Sequence, residues 1–462
     1  MPAEASLTKG PVAPTLARLS LPMVFGLFSV IAFNLADTFF VAQLGAQPLA
    51  AMSFTFPVVL LLMGVAMGLG TGTTSVLSRA IGAGHPERVR RLASDSLSLA
   101  LLSVCVVAGV GMLSIDPLFV LLGAPPDVLP LIRSYMLIWY PGMVFLVVPM
   151  VANASIRASG DTRMPAMIMV GGTLTNVLLD PLFIFGMWGF PRMGLEGAAV
   201  ATVIARAGTM VASLAILHFR DRLLDFRPPR LRDVWDSWKG IGHIALPATA
   251  TNIAEPVALA TVTRLVAGYG PDAVAAWGAG SRLAAFTLIP VFALGSGLVP
   301  FVGQNWGAGL VQRVTEARRY GFIFAFVWGL AAWGILYAAA RPLAMLFSAE
   351  AAVIEFLVVF MRVMPLGFAL YGVFSVSEET LNAIGRPLAA TLQTVVHMFL
   401  FYIPLAYFGS HVMAWPGLMG GLALADSLGG LFGLYLSLRL CRVGREEADA
   451  ASGVGEVAAQ RP

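Results

Sequence analysis

Residues 68–89, GLGTGTTSVLSRAIGAGHPERV, are answered 225 positions later by residues 293–314, ALGSGLVPFVGQNWGAGLVQRV. Gly70 and Gly72 return as Gly295 and Gly297, Gly82-Ala83-Gly84 as Gly307-Ala308-Gly309, and Arg88-Val89 as Arg313-Val314. Outward from this pair, the same offset carries Leu21-Pro22 onto Leu246-Pro247, Gly45 onto Gly270 and Gly160 onto Gly385. At an offset of 223, Gly194-Leu195 and Gly197 fall on Gly417-Leu418 and Gly420. The chain thus states one plan twice, and each copy holds six long apolar segments.

Composition says where such a plan is used. The 462 residues are 58% apolar and 12% charged, against roughly 25% charged in a soluble protein. Charges fall in short clusters between apolar runs of about 20 residues, enough to cross about 30 Å of hydrocarbon. The reading is an all-α polytopic membrane protein with 12 transmembrane helices in two six-helix pseudo-symmetric lobes. The first lobe's spans are expected at 18–42, 48–78, 93–115, 131–156, 164–187 and 194–217. The second lobe's are expected at 242–268, 273–303, 317–340, 354–383, 388–408 and 415–440. A barrel would need short alternating strands, and the pattern has none.

Domain boundaries follow. Residues 1–217 form an N-lobe, 218–240 a cytoplasmic linker carrying Pro228-Pro229, 241–445 a C-lobe, and 446–462 a small, polar tail expected to be disordered. An even number of spans per copy points both lobes the same way, around an axis along the membrane normal, with a cavity expected between them. Most of the 29 basic residues collect on one side, above all in Arg79–Arg91, Arg220–Lys239 and Arg313–Arg319. Asp116, Asp127, Asp272 and Glu350 lie opposite. Both termini are therefore placed in the cytoplasm. The net charge of +4 reflects that bias and gives no reason to invoke nucleic acid. Cys105 and Cys441 make no disulfide framework, and the polar start is read as lacking a cleavable signal. Pro22 and Pro247, at equivalent places in the two copies, are the expected hinges. The repeated glycines are expected to permit close helix contact.

A carboxylate in mid-membrane costs about 3 kcal/mol on insertion scales, so each one needs a reason. Asp37 lies late in the first span within Asn34-Leu35-Ala36-Asp37-Thr38, with Asn34 on its face. Asp180 closes Asn176-Val177-Leu178-Leu179-Asp180-Pro181 in the fifth, again with an amide one turn away. Asn153 in the fourth span and Thr202 in the sixth complete an expected polar cluster. Such acids suit a proton or sodium site, because withdrawal from water favours the neutral or ion-bound carboxyl. The bland alternative is that Asp180, before Pro181, caps a helix end or binds a loose backbone amide. Arg206 either pairs with Asp180 or faces the cavity. In the second lobe, Glu255, Glu378 and Arg282 form a candidate ion or substrate site, with Glu379 and Arg362 nearby and a structural salt bridge as the alternative. His243, His397 and His411 look isolated. No Walker loop, metal-ligand spacing or nucleophile elbow is present, so neither ATP, a bound metal nor enzyme chemistry is expected. No cofactor is expected either; H+, or alternatively Na+, is the coupling ion.

Several of these motifs together resemble the multidrug and toxic compound extrusion (MATE) family. They are the segment from Ala273 through Pro290 to Pro300-Phe301-Val302-Gly303-Gln304-Asn305-Trp306-Gly307-Ala308-Gly309, Asn34-x-x-Asp37-Thr38, Gly160-Asp161-Thr162 and Asn176-x-x-x-Asp180-Pro181. The likeness runs over about residues 15–440 and is closest to the DinF-like branch, whose members are mostly proton-coupled. The resemblance implies export of organic cations and other amphiphiles in exchange for protons or sodium. It also implies a first-lobe cation site on Asp37, Asn153, Asn176, Asp180 and Thr202. An inner-membrane location is expected, and because one chain supplies both lobes, a monomer is expected too. Glu255 falls where the NorM-like branch has a functional glutamate, whereas Glu378 and Glu379 do not match that branch's aspartate. A lipid-linked saccharide flippase of related layout and a non-transporting scaffold are the competing readings. The first calls for extra spans and a strongly cationic cavity. The second has no need of paired buried acids.

Overall fold

The computed structural model describes residues 5–225, 227 and 230–459, with side chains through Cys441 except at position 46. Among these residues all regular structure is helical. Ten stretches are long and apolar enough to cross a membrane. In the first copy these are α1 (Val12–Ala42), α2 (Ala46–Gly82), α3 (Pro86–Leu113), a fourth span, α7 (Arg163–Phe185) and α8 (Leu195–Ala215). Short α4 (Ile115–Leu121) follows α3. The fourth span is built from α5 (Leu129–Gly142) and α6 (Val144–Ala158).

The second copy opens with α9 (Leu231–Ala267), then α10 (Pro271–Gly307), α11 (Val311–Ala338) and short α12 (Ala340–Phe347). The tenth span joins α13 (Ala351–Val363) to α14 (Phe368–Ala383). The eleventh and twelfth spans appear as a single stretch, Pro387–Cys441. It comprises α15 (Pro387–Val395), a π-helical turn (Val396–Tyr402) and α16 (Ile403–Ala459). The two spans separate at Met413–Ala414, where Ala414 has φ 50°. A Cβ on Gly409 or Gly417 would strike the other's carbonyl oxygen, so both positions need glycine for the chain to double back there. α9 is not among the ten because Thr249, Thr251, Asn252 and Glu255 make its membrane portion too polar. With α9 added and the long stretch counted as two, the twelve expected spans are accounted for.

Two boundaries differ from the sequence reading. The linker is shorter than 218–240: a π turn occupies Ile216–Arg220 and α9 already begins at Leu231. Pro228-Pro229 lies outside the described residues. The tail expected to be disordered from 446 continues α16 as helix through Ala459, because its Ala- and Glu-rich sequence keeps helical propensity. Residues 460–462 lie outside the described set.

The chain forms two compact units, and neither ends in a loop. One comprises Met1–Ser6 and Leu21–Thr249, the other Leu7–Ser20 and Ala250–Pro462. The division therefore cuts α1 beside Pro22 and α9 just beyond Pro247, at the two prolines marked as hinges. The first nine residues of the expected C-lobe belong with the first unit, and residues 7–20 with the second. In the first unit, Phe119, Ile132, Met136 and Tyr140 form the heart of the core, with Ile241 and Ala245 of α9 packed into it. In the second unit, Phe301, Leu357, Phe360, Phe368 and Leu418 share a core with Leu7, Val12, Leu16 and Leu19. Large apolar side chains left outside these cores, such as Phe25, Leu178, Ile335 and Phe408, are exposed, as a hydrocarbon solvent allows.

The repeated motif explains how each unit holds these visiting half-helices. Gly72 lies against α9 so closely that a Cβ would sit 2.8 Å from the Ile241 carbonyl oxygen. Its repeat partner Gly297 meets α1, where a Cβ would lie 2.9 Å from Leu19 Cβ. Gln304, Asn305 and Arg313 secure the start of the chain. The Leu7 amide donates to Gln304 Oε1 (3.1 Å), Asn305 Nδ2 donates to the Leu7 carbonyl (3.1 Å), and Arg313 donates to the Gly10 carbonyl (2.8 Å). Gly72→Leu and Gly297→Leu should each lose about 1–3 kcal/mol of stability. Thermal unfolding in detergent checks this, and Gly109→Leu, at an open position, should leave the midpoint near wild type.

Candidate cation site

In the first unit, α7 supplies the centre. Asn176 and Asp180 are both fully buried, one helical turn apart. Asn176 Nδ2 donates to Asp180 Oδ1 (3.1 Å) and to Thr202 Oγ1 on α8 (3.3 Å). One amide thus ties together three of the expected site residues. Pro181 sits inside α7, which continues to Phe185, so Asp180 does not cap a helix end. Proline has no N–H, which leaves the Val177 carbonyl without its intrahelical donor at this point.

α1 brings Asp37, buried at 7% exposure. Asp37 and Asp180 lie within electrostatic range of one another, and Tyr135, buried on α5, lies within range of both. Asn34 does not join them: it is exposed, and its amide donates to the Val30 carbonyl of its own helix (3.0 Å). The three-residue spacing that suggested a shared face leaves Asn34 about 60° around the helix from Asp37, since each residue advances roughly 100°. Asn153 is buried on α6 and makes no hydrogen bond to the α7 group among the described residues. Arg206, one turn beyond Thr202 on α8, does not pair with Asp180. Its guanidinium lies over the Phe33 ring at 4.9 Å.

The electrostatic character of this unit comes from oxygens without donors. Asp37 Oδ1, Asn153 Oδ1, Asn176 Oδ1 and Asp180 Oδ2 are all buried with no hydrogen-bond partner. Buried acceptors are nearly always satisfied, and these can accept from any donor or cation that reaches them, a water included.

The second unit has a separate polar group. Glu255 on α9 accepts from the Tyr371 hydroxyl on α14 (3.2 Å). His397 and Asp426 pair through Nε2 and Oδ1 (3.1 Å). Glu255, Tyr371, His397 and Asp426 line a cavity of about 240 Å³ with Trp277, Phe360, Phe368 and Tyr402. Glu378 is half-buried on α14 and does not line that cavity, and Arg282 is exposed on α10, so the structure does not gather these two with Glu255 there. Arg362 stacks on Tyr337 (5.3 Å) instead of meeting an acid. His397 is not isolated, and its partner Asp426 escaped the sequence reading. The signal was present: an acid inside the apolar twelfth span is rare enough to mark by itself.

A duplicated bundle of membrane helices is a layout that many transporters share. Comparison with known proteins gives the family. The model described as MatE matches residues 22–182 and 247–408, one match per repeat, beginning at Pro22 and Pro247. The chain belongs to this multidrug and toxic compound extrusion family, whose members are transporters and not enzymes. It is 38% identical to a protein named FAD transporter from Shewanella oneidensis, over 94% of this chain and 96% of that protein. It is 23% identical to the multidrug export protein MepA of Staphylococcus aureus, over 91% and 92% of the two chains. A crystal structure of a mutant of the Vibrio cholerae MATE transporter VcmN matches with a TM-score of 0.90 at 30% identity, covering 96% of this chain and 98% of that one.

Thr202→Val keeps the side-chain volume and removes one of the two acceptors of the Asn176 amide. The expected cost is about 1 kcal/mol, read as a lowered unfolding midpoint in detergent, whereas exposed Asn34→Ala should leave the midpoint within about 0.5 kcal/mol of wild type.

Proposed function

We propose that this chain is a cation-coupled antiporter of the inner membrane, exporting amphiphilic small molecules by alternating access in exchange for protons bound at Asp37 and Asp180. The observation that carries this reading is the set of buried oxygens in the first unit, two of them carboxylate, with no donor to satisfy them. Protonation of the two acids rearranges the first unit and favours cargo release outward. Deprotonation toward the cytoplasm resets it. A cationic cargo and the proton then compete for the same charge. Coupling requires that ion and cargo prefer different conformers, because equal preference shifts no equilibrium. One chain supplies both repeats, so a monomer is sufficient, and both termini lie in the cytoplasm.

Efflux of ethidium from a pump-deficient host should fall to background in Asp37→Asn and Asp180→Asn variants that still reach the membrane. Full efflux in either variant removes the mechanism. In vesicles, an imposed pH gradient should drive ethidium movement while a sodium gradient alone should not. The opposite result assigns the same oxygens to sodium.

A second reading of the cargo is favoured by the 38% identity to the Shewanella oneidensis FAD transporter. A flavin dinucleotide presents flat rings and a diphosphate. Arg206 holds its planar guanidinium over Phe33 with no carboxylate in ion-pair range among the described residues, and such a fork suits a diphosphate. Vesicles loaded with FAD should export it, and Arg206→Gln should reduce that export at least tenfold while leaving ethidium efflux within twofold. Equal loss of both cargoes, or no FAD movement in the wild type, counts against this reading.

A further inference from the structure

We propose that the second unit holds a proton-binding site of its own, the His397–Asp426 pair. The proposal is independent of the cargo and of the ion taken by the first unit.

His397 sits in the π-helical turn Val396–Tyr402 and is fully buried, as is Asp426 to within 3%. π turns interrupt regular helices at a cost and recur at functional sites. Here the turn aims the imidazole at α16, where Asp426 and Gly429 share a face. His397 Nε2 and Asp426 Oδ1 lie 3.1 Å apart. Gly429 supplies the room, since a Cβ there would run into the imidazole ring. The other ring nitrogen, Nδ1, is buried and has no partner.

That arrangement leaves a place for a proton on the ring. With hydrogen on Nε2 donated to the Asp426 carboxylate, Nδ1 carries an unused lone pair, and the pair as a whole carries one negative charge. A proton taken up at Nδ1 cancels that charge without moving a heavy atom. Three aromatic rings surround the imidazole, tilted or edge-on to it: Phe374 has its centroid at 4.7 Å, Tyr402 at 5.8 Å and Tyr371 at 6.2 Å.

The titratable groups facing the pair are few. Glu255 reaches in from α9, held by the Tyr371 hydroxyl from α14, and Glu378 on α14 lies within electrostatic range of both. Tyr402 adds a phenol from the π turn itself. Neither Lys nor Arg lines the cavity onto which the pair opens. A negative, aromatic-walled pocket without a fixed cation would be costly to keep charged in low dielectric. A proton removes that cost, and imidazole changes charge in the physiological range.

The chain has five histidines, and His85, His218, His243 and His411 are exposed. Replacing those four with Gln in the full-length protein leaves His397 as the one imidazole. Its carbon and nitrogen NMR signals can then be followed in nanodiscs with histidine isotope labelling. The expected result is a change from neutral to protonated imidazole between about pH 5 and 8, with a midpoint displaced by adding Asp426→Asn. A signal fixed in one protonation state throughout that range overturns the proposal, and so does a midpoint that Asp426→Asn leaves unmoved. Neither readout involves transport, so failure here leaves the first-unit mechanism standing, and failure of that mechanism leaves this site standing.

Discussion

A carbonyl or carboxylate oxygen sealed away from water must be given a hydrogen or a cation, and in the first unit four such oxygens are given neither by the protein. Three features of that unit surround these oxygens. α7 stacks Asn176 on Asp180, Thr202 on α8 takes part of the amide's donating capacity, and α1 brings a second carboxyl within electrostatic range. One amide cannot satisfy so many acceptors. An ion that entered such a site in one conformer and not in the other would supply the coupling proposed above.

The two copies of the plan have kept one scaffold and diverged in polar content. Gly72 and Gly297 do the same job, letting a half-helix from the other copy pack closely, and the two prolines stand beside the places where the units divide. The acids do not correspond. The first unit uses carboxylates with amide neighbours, whereas the second pairs a carboxylate with an imidazole and lines its cavity with aromatic rings. Duplication preserves what packing requires and releases what chemistry can vary.

Much of this was legible in the residues. The offset repeat, the apolar runs and the scarcity of charge define the helices, because membrane insertion leaves few alternatives to a helix. Asp37, Asn176, Asp180 and Thr202 could be picked out because polar groups in hydrocarbon are costly and therefore conspicuous. Orientation around a helix was harder. Asn34 stands three residues from Asp37 yet turns outward, since spacing alone does not say which edge of a face meets the neighbouring helix. Pairings across the chain were invisible: 29 positions separate His397 from Asp426, and nothing local to either announces the other. The division of α1 and α9 between units was equally hidden, because continuous helices carry no mark of what each half packs against.

The most direct measurement is the count of protons bound by the purified, cargo-free protein between pH 5 and 9, compared with the double variant Asp37→Asn, Asp180→Asn. If the donor-starved oxygens of the first unit hold the coupling ion, the wild type takes up more protons than the variant over that range, and sodium displaces part of the excess if it competes for the same oxygens. Identical proton counts with and without sodium, in two proteins of equal stability, would contradict the account.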